Sequence, residues 1–78
     1  MNPRMPTITA KIMIRFLGHL GFQQVRQKGS HRFFKHPDGR TATVPDHGGE
    51  DLGRGITNKI LRDAEVTRYD FLEWYHKR

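Results

Sequence analysis

Residues 26–35 decide the fold, and they read RQKGSHRFFK from Arg26 to Lys35. Gly29 and Ser30 are turn-forming residues, and the runs on either side of them have the composition of short strands. Two-residue loops are the commonest connections between antiparallel strands. This stretch therefore predicts a β-hairpin whose turn is Gly29-Ser30.

The register of that hairpin sorts its side chains onto two faces. It pairs Lys28 with His31, Arg26 with Phe33, and Val25 with Phe34. Because side chains alternate along a strand, Val25 and Phe34 are expected on the face that packs into the core. The opposite face is expected to carry Gln24, Arg26, Lys28, His31, Phe33 and Lys35. A longer turn would change this register.

A helix is predicted before the hairpin, from about Ala10 to Leu20. Its apolar stripe consists of Met13, Phe16, Leu17 and Leu20 at helical spacing. Thr9 suits the N-cap, and Gly21 suits the left-handed position that ends many helices. Turn signals at Gly29-Ser30 and Pro37–Gly39 then predict a three-stranded meander. Its strands run roughly over Gln23–Lys28, His31–His36 and Thr41–Val44.

Two further helices are predicted after a glycine-rich loop, Asp46–Gly53. The first runs from about Gly55 to Ala64 and buries Ile56, Ile60, Leu61 and Ala64. The second is short, starts at a capping box formed by Thr67 and Asp70, and buries Phe71, Leu72 and Tyr75. This order predicts an α+β fold, in which the two longer helices cover one face of a three-stranded antiparallel sheet. Residues 9–78 are expected to form one domain, preceded by a flexible tail over residues 1–8.

The net charge of +6 is unevenly distributed. Residues 1–45 contain eight Lys or Arg and a single acid, Asp38, whereas residues 46–78 contain six Lys or Arg and seven acids. This asymmetry indicates a basic face that binds nucleic acid or an acidic protein. The simpler alternative is that the surplus of Lys and Arg only keeps a small domain in solution.

Composition also limits the chemistry. The chain has no cysteine, which excludes disulfides, thiolate catalysis and cysteine-type zinc sites and fits a reducing cytoplasm. Its longest strictly apolar run, Ile12–Ile14, is too short to span a membrane. A chain of 78 residues has a small core, so a shallow exposed site is expected rather than a deep cofactor pocket. We expect a cytoplasmic protein with no cofactor.

His31 is the candidate catalytic residue. Imidazole titrates near pH ~6.5, which makes it the side chain best suited to proton transfer at neutral pH. Internal cleavage of RNA needs a base for the ribose 2′-hydroxyl, an acid for the leaving 5′-oxygen, and cations for the growing phosphorane charge. One histidine among Lys and Arg can supply one proton transfer and the charge stabilisation. The alternative is that His31 only caps the turn or makes an ordinary surface hydrogen bond.

The neighbours of His31 form a candidate RNA-binding set. Its members are Arg26, Lys28, Gly29, Ser30, Arg32, Phe33 and Lys35, although the alternation places Arg32 on the other face. Cationic side chains attract phosphates, and the ring of Phe33 can stack on an exposed base. A partner protein seated on Phe33 is an equally good interpretation.

The remaining histidines do not form a recognisable metal site. His31 and His36 are five residues apart in one strand, so they should point to opposite faces. His36 and His47, with Asp46, could meet only if the chain folds back, and no ligand spacing supports this. We therefore predict no metal site. Anchoring of the glycine-rich loop is the simplest role for His47.

Several of these segments together resemble the HicA toxin family. They are Gly21-Phe22, Arg26–His31, His36–Arg40, Val44-Pro45 and His47–Leu52, and the likeness extends over about Thr9 to Leu72. The resemblance implies a fold like that of double-stranded-RNA-binding domains. It also implies a ribosome-independent mRNA endoribonuclease, the toxin of a type II toxin–antitoxin system. In this family the histidine of the Gly-Ser-His turn, here His31, is required for activity, and a HicB-type antitoxin covers it.

Two other functions remain open at this stage. The same basic sheet face would also serve a non-catalytic RNA-binding module. It would equally serve a protein-interaction domain that only docks an acidic partner such as the antitoxin.

Overall fold

The computed structural model of the protein describes residues 5–78. The elements in chain order are α1 (Ala10–Leu20), β1 (Gln23–Lys28), β2 (His31–Lys35), β3 (Thr41–Pro45), α2 (Arg54–Asp63) and α3 (Arg68–Lys77). The first five lie within one residue of the predicted bounds, whereas α3, predicted to be a short helix, has ten residues, as many as α2. The three strands form one antiparallel sheet in the order β1-β2-β3. The predicted α+β fold is confirmed: the first five elements follow the α-β-β-β-α order expected of a fold like that of double-stranded-RNA-binding domains, and α3 follows them.

The hairpin register is confirmed near the turn and wrong beyond it. Lys28 pairs with His31 and Arg26 with Phe33, but Gln24 rather than Val25 pairs with Phe34. A β-bulge between Gln24 and Arg26 causes the difference. Val25, predicted to be in the core, is 59% exposed. Gln24 is predicted on the same face as Arg26 but lies on the helix-covered face. Its side-chain oxygen accepts a hydrogen bond from Arg32 there at 3.3 Å.

The bulge resolves a conflict within β1. Phe22, just before the strand, is 4% exposed and belongs to the core. In a regular strand Phe22 and Arg26 would point to the same face, because side chains repeat every two residues. One extra residue in the strand reverses that parity. Phe22 can therefore enter the core while Arg26 and Lys28 stay on the opposite face.

The core lies between the sheet and the helices. Phe34, Ala42 and Val44 contribute from the sheet, and α1 contributes Ala10, Met13, Phe16 and Leu17. Helix α2 buries Thr57, Ile60, Leu61 and Ala64, which follow an i, i+3, i+4, i+7 pattern. Ile56, predicted to be buried, is 41% exposed because it lies one position outside this stripe. Thr57 takes its place.

Helix α3 closes the fold through aromatic packing on α1. The Phe71 ring meets the Phe16 ring edge-on at a centroid distance of 5.0 Å, and the Trp74 ring lies 5.3 Å from that of Phe16. The predicted capping box is present, since Thr67 and Asp70 exchange side-chain-to-backbone hydrogen bonds. Phe71 and Leu72 are buried as predicted, and Tyr75 is half-buried.

Ile8 belongs to the core rather than to the predicted N-terminal tail. Ile8, assigned to the tail, is 1% exposed, and its carbonyl accepts a hydrogen bond from the Leu52 N–H at 2.8 Å. This contact also ties the glycine-rich loop to the start of α1. Residues 1–4 lie outside the described part of the chain. Over residues 5–78, no helix is long and apolar enough to cross a membrane.

The turn after α1 depends on a glycine. Gly21 has φ +103°, and a Cβ there would lie 2.9 Å from Nε2 of His36. The same Nε2 donates to the Leu20 carbonyl at 2.9 Å, and the His36 ring packs edge-on against Phe22. His36 is thereby a structural residue that fixes the end of α1 against the β2–β3 turn.

We predict that Gly21→Ala lowers the free energy of unfolding by about 1–3 kcal/mol, because it forces a left-handed alanine onto the His36 ring. Gly18→Ala is the matched control. A Cβ at Gly18 meets nothing within 4 Å, so this helix-interior change should stabilise the protein by roughly 0.5–1 kcal/mol. Urea unfolding of both variants measures the effects. Equal effects of the two substitutions would contradict this account of the turn.

Candidate nucleic-acid interface

The sheet face away from the helices, called the open face from here on, is built from three cross-strand rows. These rows are Lys28–His31–Pro45, Arg26–Phe33–Thr43 and Gln23–Lys35–Thr41. Directly opposed residues in a row have Cβ atoms about 4.5–5.5 Å apart. The register therefore brings His31, Phe33 and three cations onto one surface that is three strands wide and extends from His31 to Lys35 along β2.

The open face carries basic residues and no acid. Among its nine residues are two lysines, one arginine and one histidine, and none of the nine is an acid. Most protein surfaces intersperse both signs, so an acid-free stretch of this kind favours a polyanion as ligand. Thr41, Thr43 and Pro45 were not among the predicted site residues. Continuing the register from Lys35 through the Pro37–Gly39 turn would have identified them.

His31 stands at the hairpin end of this face. Gly29 has φ +57° while Ser30 has a negative φ, as in a type II′ turn, so Lys28 and His31 flank the turn directly. His31 is exposed, and within residues 5–78 its ring makes no side-chain hydrogen bond. The interpretation of His31 as a hydrogen-bonded turn cap therefore finds no support. Both ring nitrogens are open to a ligand.

Phe33 lies at the centre of the open face and is half-buried. The Arg26 guanidinium carbon sits 4.6 Å from the centroid of its ring, which is a cation–π contact. This contact holds the Arg26 charge over the middle of the face. It also leaves an aromatic surface next to the cation, an arrangement that suits a base and its phosphate together.

Arg32, a member of the predicted RNA-binding set, lies on the other side of the sheet. Its Nε donates to the Asp46 carboxylate at 2.7 Å, and its guanidinium also reaches Gln24. The second Asp46 oxygen accepts the Gly48 N–H at 3.1 Å. These hydrogen bonds, first that from Gly48 and then that from Arg32, lower the pKa of Asp46 below its ordinary value of 3.8. Arg32 thus ties the loop after β3 to the strand that carries His31.

The other histidines considered in the sequence analysis are His36 and His47. His31 and His36 lie on opposite faces, as their spacing predicts, because His36 is turned toward Leu20. His47 is exposed in the glycine-rich loop. The described residues bring together no group of three histidine, cysteine, aspartate or glutamate side chains suited to a metal.

A groove of about 500 Å³ lies elsewhere, between α1 and α3. It is lined by Phe16, His19, Leu20, Val66, Asp70, Glu73, Trp74, Lys77 and Arg78. Its lining contains both acids and bases, and it includes no residue of the open face. Its mixed charge makes it a weaker candidate for RNA than the sheet.

The family is decided by a match to a sequence profile. The profile described as the HicA toxin of bacterial toxin–antitoxin systems matches residues 10–66 of the chain. The chain belongs to the HicA toxin family. A search of curated protein sequences finds no match. The matched segment contains the whole sheet, the Gly-Ser-His turn and the loop with His47, so the HicA assignment covers the open face described above.

HicA membership makes the chain a toxin-type member of a toxin–antitoxin family whose proteins are generally RNase-type toxins. Such a toxin has an RNA target and an antitoxin partner. An acid-free, partly aromatic sheet face is a suitable surface for both.

The Arg32–Asp46 contact leads to a pH-dependent prediction. Because the folded-state pKa of Asp46 is lowered, its contribution to stability is present above the ordinary value of 3.8 and is lost as the pH falls through the folded value. Asp46→Asn should therefore be less stable than wild type at pH 7, with the difference shrinking below pH 3.8. Urea unfolding across pH 7 to 2.5 measures it.

A double-mutant cycle supplies the control. Arg32→Gln should destabilise wild type more than it destabilises Asp46→Asn, since the second variant has already lost the ion pair. Additive effects, or a difference between wild type and Asp46→Asn that is constant with pH, would contradict the role of this contact.

Proposed function

We propose that this HicA-family protein is the toxin component of a type II toxin–antitoxin system and acts as a ribosome-independent mRNA endoribonuclease. In this proposal His31 is a general acid/base and a HicB-type antitoxin is the partner. The single observation that carries the proposal is the row Lys28–His31–Pro45 on an acid-free face. Within residues 5–78, the exposed imidazole of this row makes no side-chain hydrogen bond and lies beside a cation.

The reaction proposed is attack of the ribose 2′-oxygen on the adjacent phosphorus. A neutral imidazole nitrogen of His31 within hydrogen-bond reach of the 2′-hydroxyl would take its proton. Negative charge then grows on the phosphorane oxygens, and fixed cations stabilise such charge more in the transition state than in the ground state. Lys28, directly opposite His31, and Arg26 in the next row are placed for this role. Protein cations would thus supply the charge stabilisation without a metal ion.

Binding of the substrate would use the rest of the open face. Lys35 lies two residues along β2 from Phe33, on the same face, so successive phosphates can follow the strand while a base stacks on the ring. Gly29 and Ser30 bring the backbone of the turn beside His31 without bulky side chains. Arg32 would act indirectly, by holding the loop through Asp46.

The antitoxin would compete for the same surface. A face with three cations, one half-buried aromatic ring and no acid complements a partner with carboxylates around an apolar centre. Occupying it would cover His31 and exclude RNA. A non-catalytic RNA-binding or antitoxin-docking module would use this face too, and cleavage distinguishes the two functions.

We predict that the purified protein cleaves a labelled mRNA in the presence of EDTA and without ribosomes. His31→Ala should reduce the cleavage rate by about 10²-fold or more, the usual contribution of a general acid/base, while leaving RNA affinity largely intact. His76→Ala is the control, because His76 is an exposed residue of α3 and not part of the sheet. Binding without cleavage by wild type would refute the enzyme and leave the binding module. Cleavage that is abolished by EDTA would refute the metal-free reaction.

The salt dependence of RNA binding tests the cations of the open face. In the non-cleaving His31→Ala background, Lys28→Ala and Lys35→Ala should each reduce the slope of log affinity against log salt by about 0.7 for single-stranded RNA. Lys11→Ala, an exposed change on α1, should leave the slope unaltered. Filter binding at several salt concentrations measures the slopes. An effect of Lys11 equal to that of Lys28 would show that RNA contacts the helices instead.

A further inference from the structure

The segment that follows β3 lies at the same end of the sheet as His31. Pro45 is paired with His31 across the sheet, and the Asp46 N–H donates to the Ser30 carbonyl at 2.7 Å. His47 is the next residue along the chain. The Gly-Ser-His turn and His47 are therefore neighbours, although they are 16 positions apart in sequence.

The loop around His47 is anchored by other residues. Asp46, directly before His47, accepts a hydrogen bond from Arg32 at 2.7 Å. It also accepts one from the N–H of Gly48, directly after His47, at 3.1 Å. Farther along, the backbones of Asp51 and Thr9 form an isolated antiparallel β-bridge, and the Leu52 N–H donates to the Ile8 carbonyl. His47 itself is exposed and makes no side-chain hydrogen bond within residues 5–78. The loop-anchoring role predicted for His47 thus belongs to Asp46, and the backbone at His47 is held by its neighbours rather than by its own side chain.

The alternation of β3, continued past its end, assigns His47 to the side of the open face. Val44 is buried on the helix side, and Pro45, the last residue of β3, shares the open-face row of His31. Asp46 meets Arg32 on the helix side, and its N–H extends the pairing with β2 by one residue through the Ser30 carbonyl. The next position, His47, therefore falls on the His31 side if the alternation is continued. In a continued strand His47 would be a diagonal neighbour of His31 at about 7–8 Å, a separation at which two imidazoles flank one phosphate group.

We propose that His47 is the second proton-transfer group of the reaction, the acid that protonates the leaving oxygen. This inference rests on the cleavage function proposed above. The 2′-oxygen forms a bond to phosphorus as its proton passes to His31. The bond from phosphorus to the 5′-oxygen breaks, and that oxygen takes a proton from His47. The products are a 2′,3′-cyclic phosphate and a free 5′-hydroxyl, and exchange with water restores both histidines.

Charged side chains lie next to both histidines. Lys28 is directly across from His31, where it can stabilise the charge that grows on the phosphorane. Asp46 directly precedes His47, and its carboxylate is paired with the Arg32 guanidinium at 2.7 Å. The ion pair holds the chain on which His47 stands.

A substrate with a better leaving group tests the role of His47. The substrate is a short RNA that spans a site cut by wild type, prepared with oxygen or with sulfur at the 5′-bridging position. A thiol has a pKa near ~8.5, so a thiolate departs without being protonated. His47→Gln should slow cleavage of the oxygen substrate by about 10²-fold or more and leave the sulfur substrate close to the wild-type rate. His31→Ala should slow both, and His76→Gln should slow neither.

The outcomes separate the inference from the function on which it rests. If His47→Gln slows both substrates equally, or slows neither while wild type cleaves both, His47 is not the acid and the proposed ribonuclease stands. If wild type cleaves neither substrate, the ribonuclease and the role of His47 are both overturned. Unfolding of His47→Gln should match wild type, because the side chain is exposed and makes no contact that the fold requires.

Discussion

The bulge in β1 is the constraint on which the rest of the structure depends. Phe22 must enter the core, and Arg26 and Lys28 must face away from it, yet a regular strand would place Phe22 and Arg26 on one side. The extra residue at Gln24–Val25 satisfies both demands. It leaves Val25 exposed on an edge strand, where a bulge also discourages pairing with another chain. The core and the basic face are therefore two results of one irregularity.

Local signals predicted most of the fold, and the misses arose from long-range packing. Thr9, Gly21 and the Thr67–Asp70 capping box mark the helix ends through short-range chemistry that the sequence displays directly. The bulge has no such signature, because it follows from where Phe22 packs. The burial of Thr57 in place of Ile56 is of the same kind, since it depends on how α2 packs against β3.

In the candidate site too, local signals predicted some residue positions and long-range contacts decided the others. The turn register alone places Lys28, His31, Arg26 and Phe33 together, and the structure confirms those pairings. The attachment of the loop after β3 could not be predicted, because it depends on a contact between Arg32 and Asp46 over 14 positions. That contact converts Arg32 from a candidate RNA ligand into a support. It also brings His47 to the end of the sheet where His31 stands.

The proposed reaction uses groups on an exposed sheet, which fits the small core of a domain of 78 residues. The proposed function requires that RNA binds the open face. Amide chemical-shift mapping of 15N-labelled His31→Ala, titrated with an RNA that carries a 2′-deoxyribose at the cleavage site, tests this requirement. We expect the shifts to concentrate on β1, β2, the Gly29-Ser30 turn and His47. Shifts confined to the groove between α1 and α3 would contradict it.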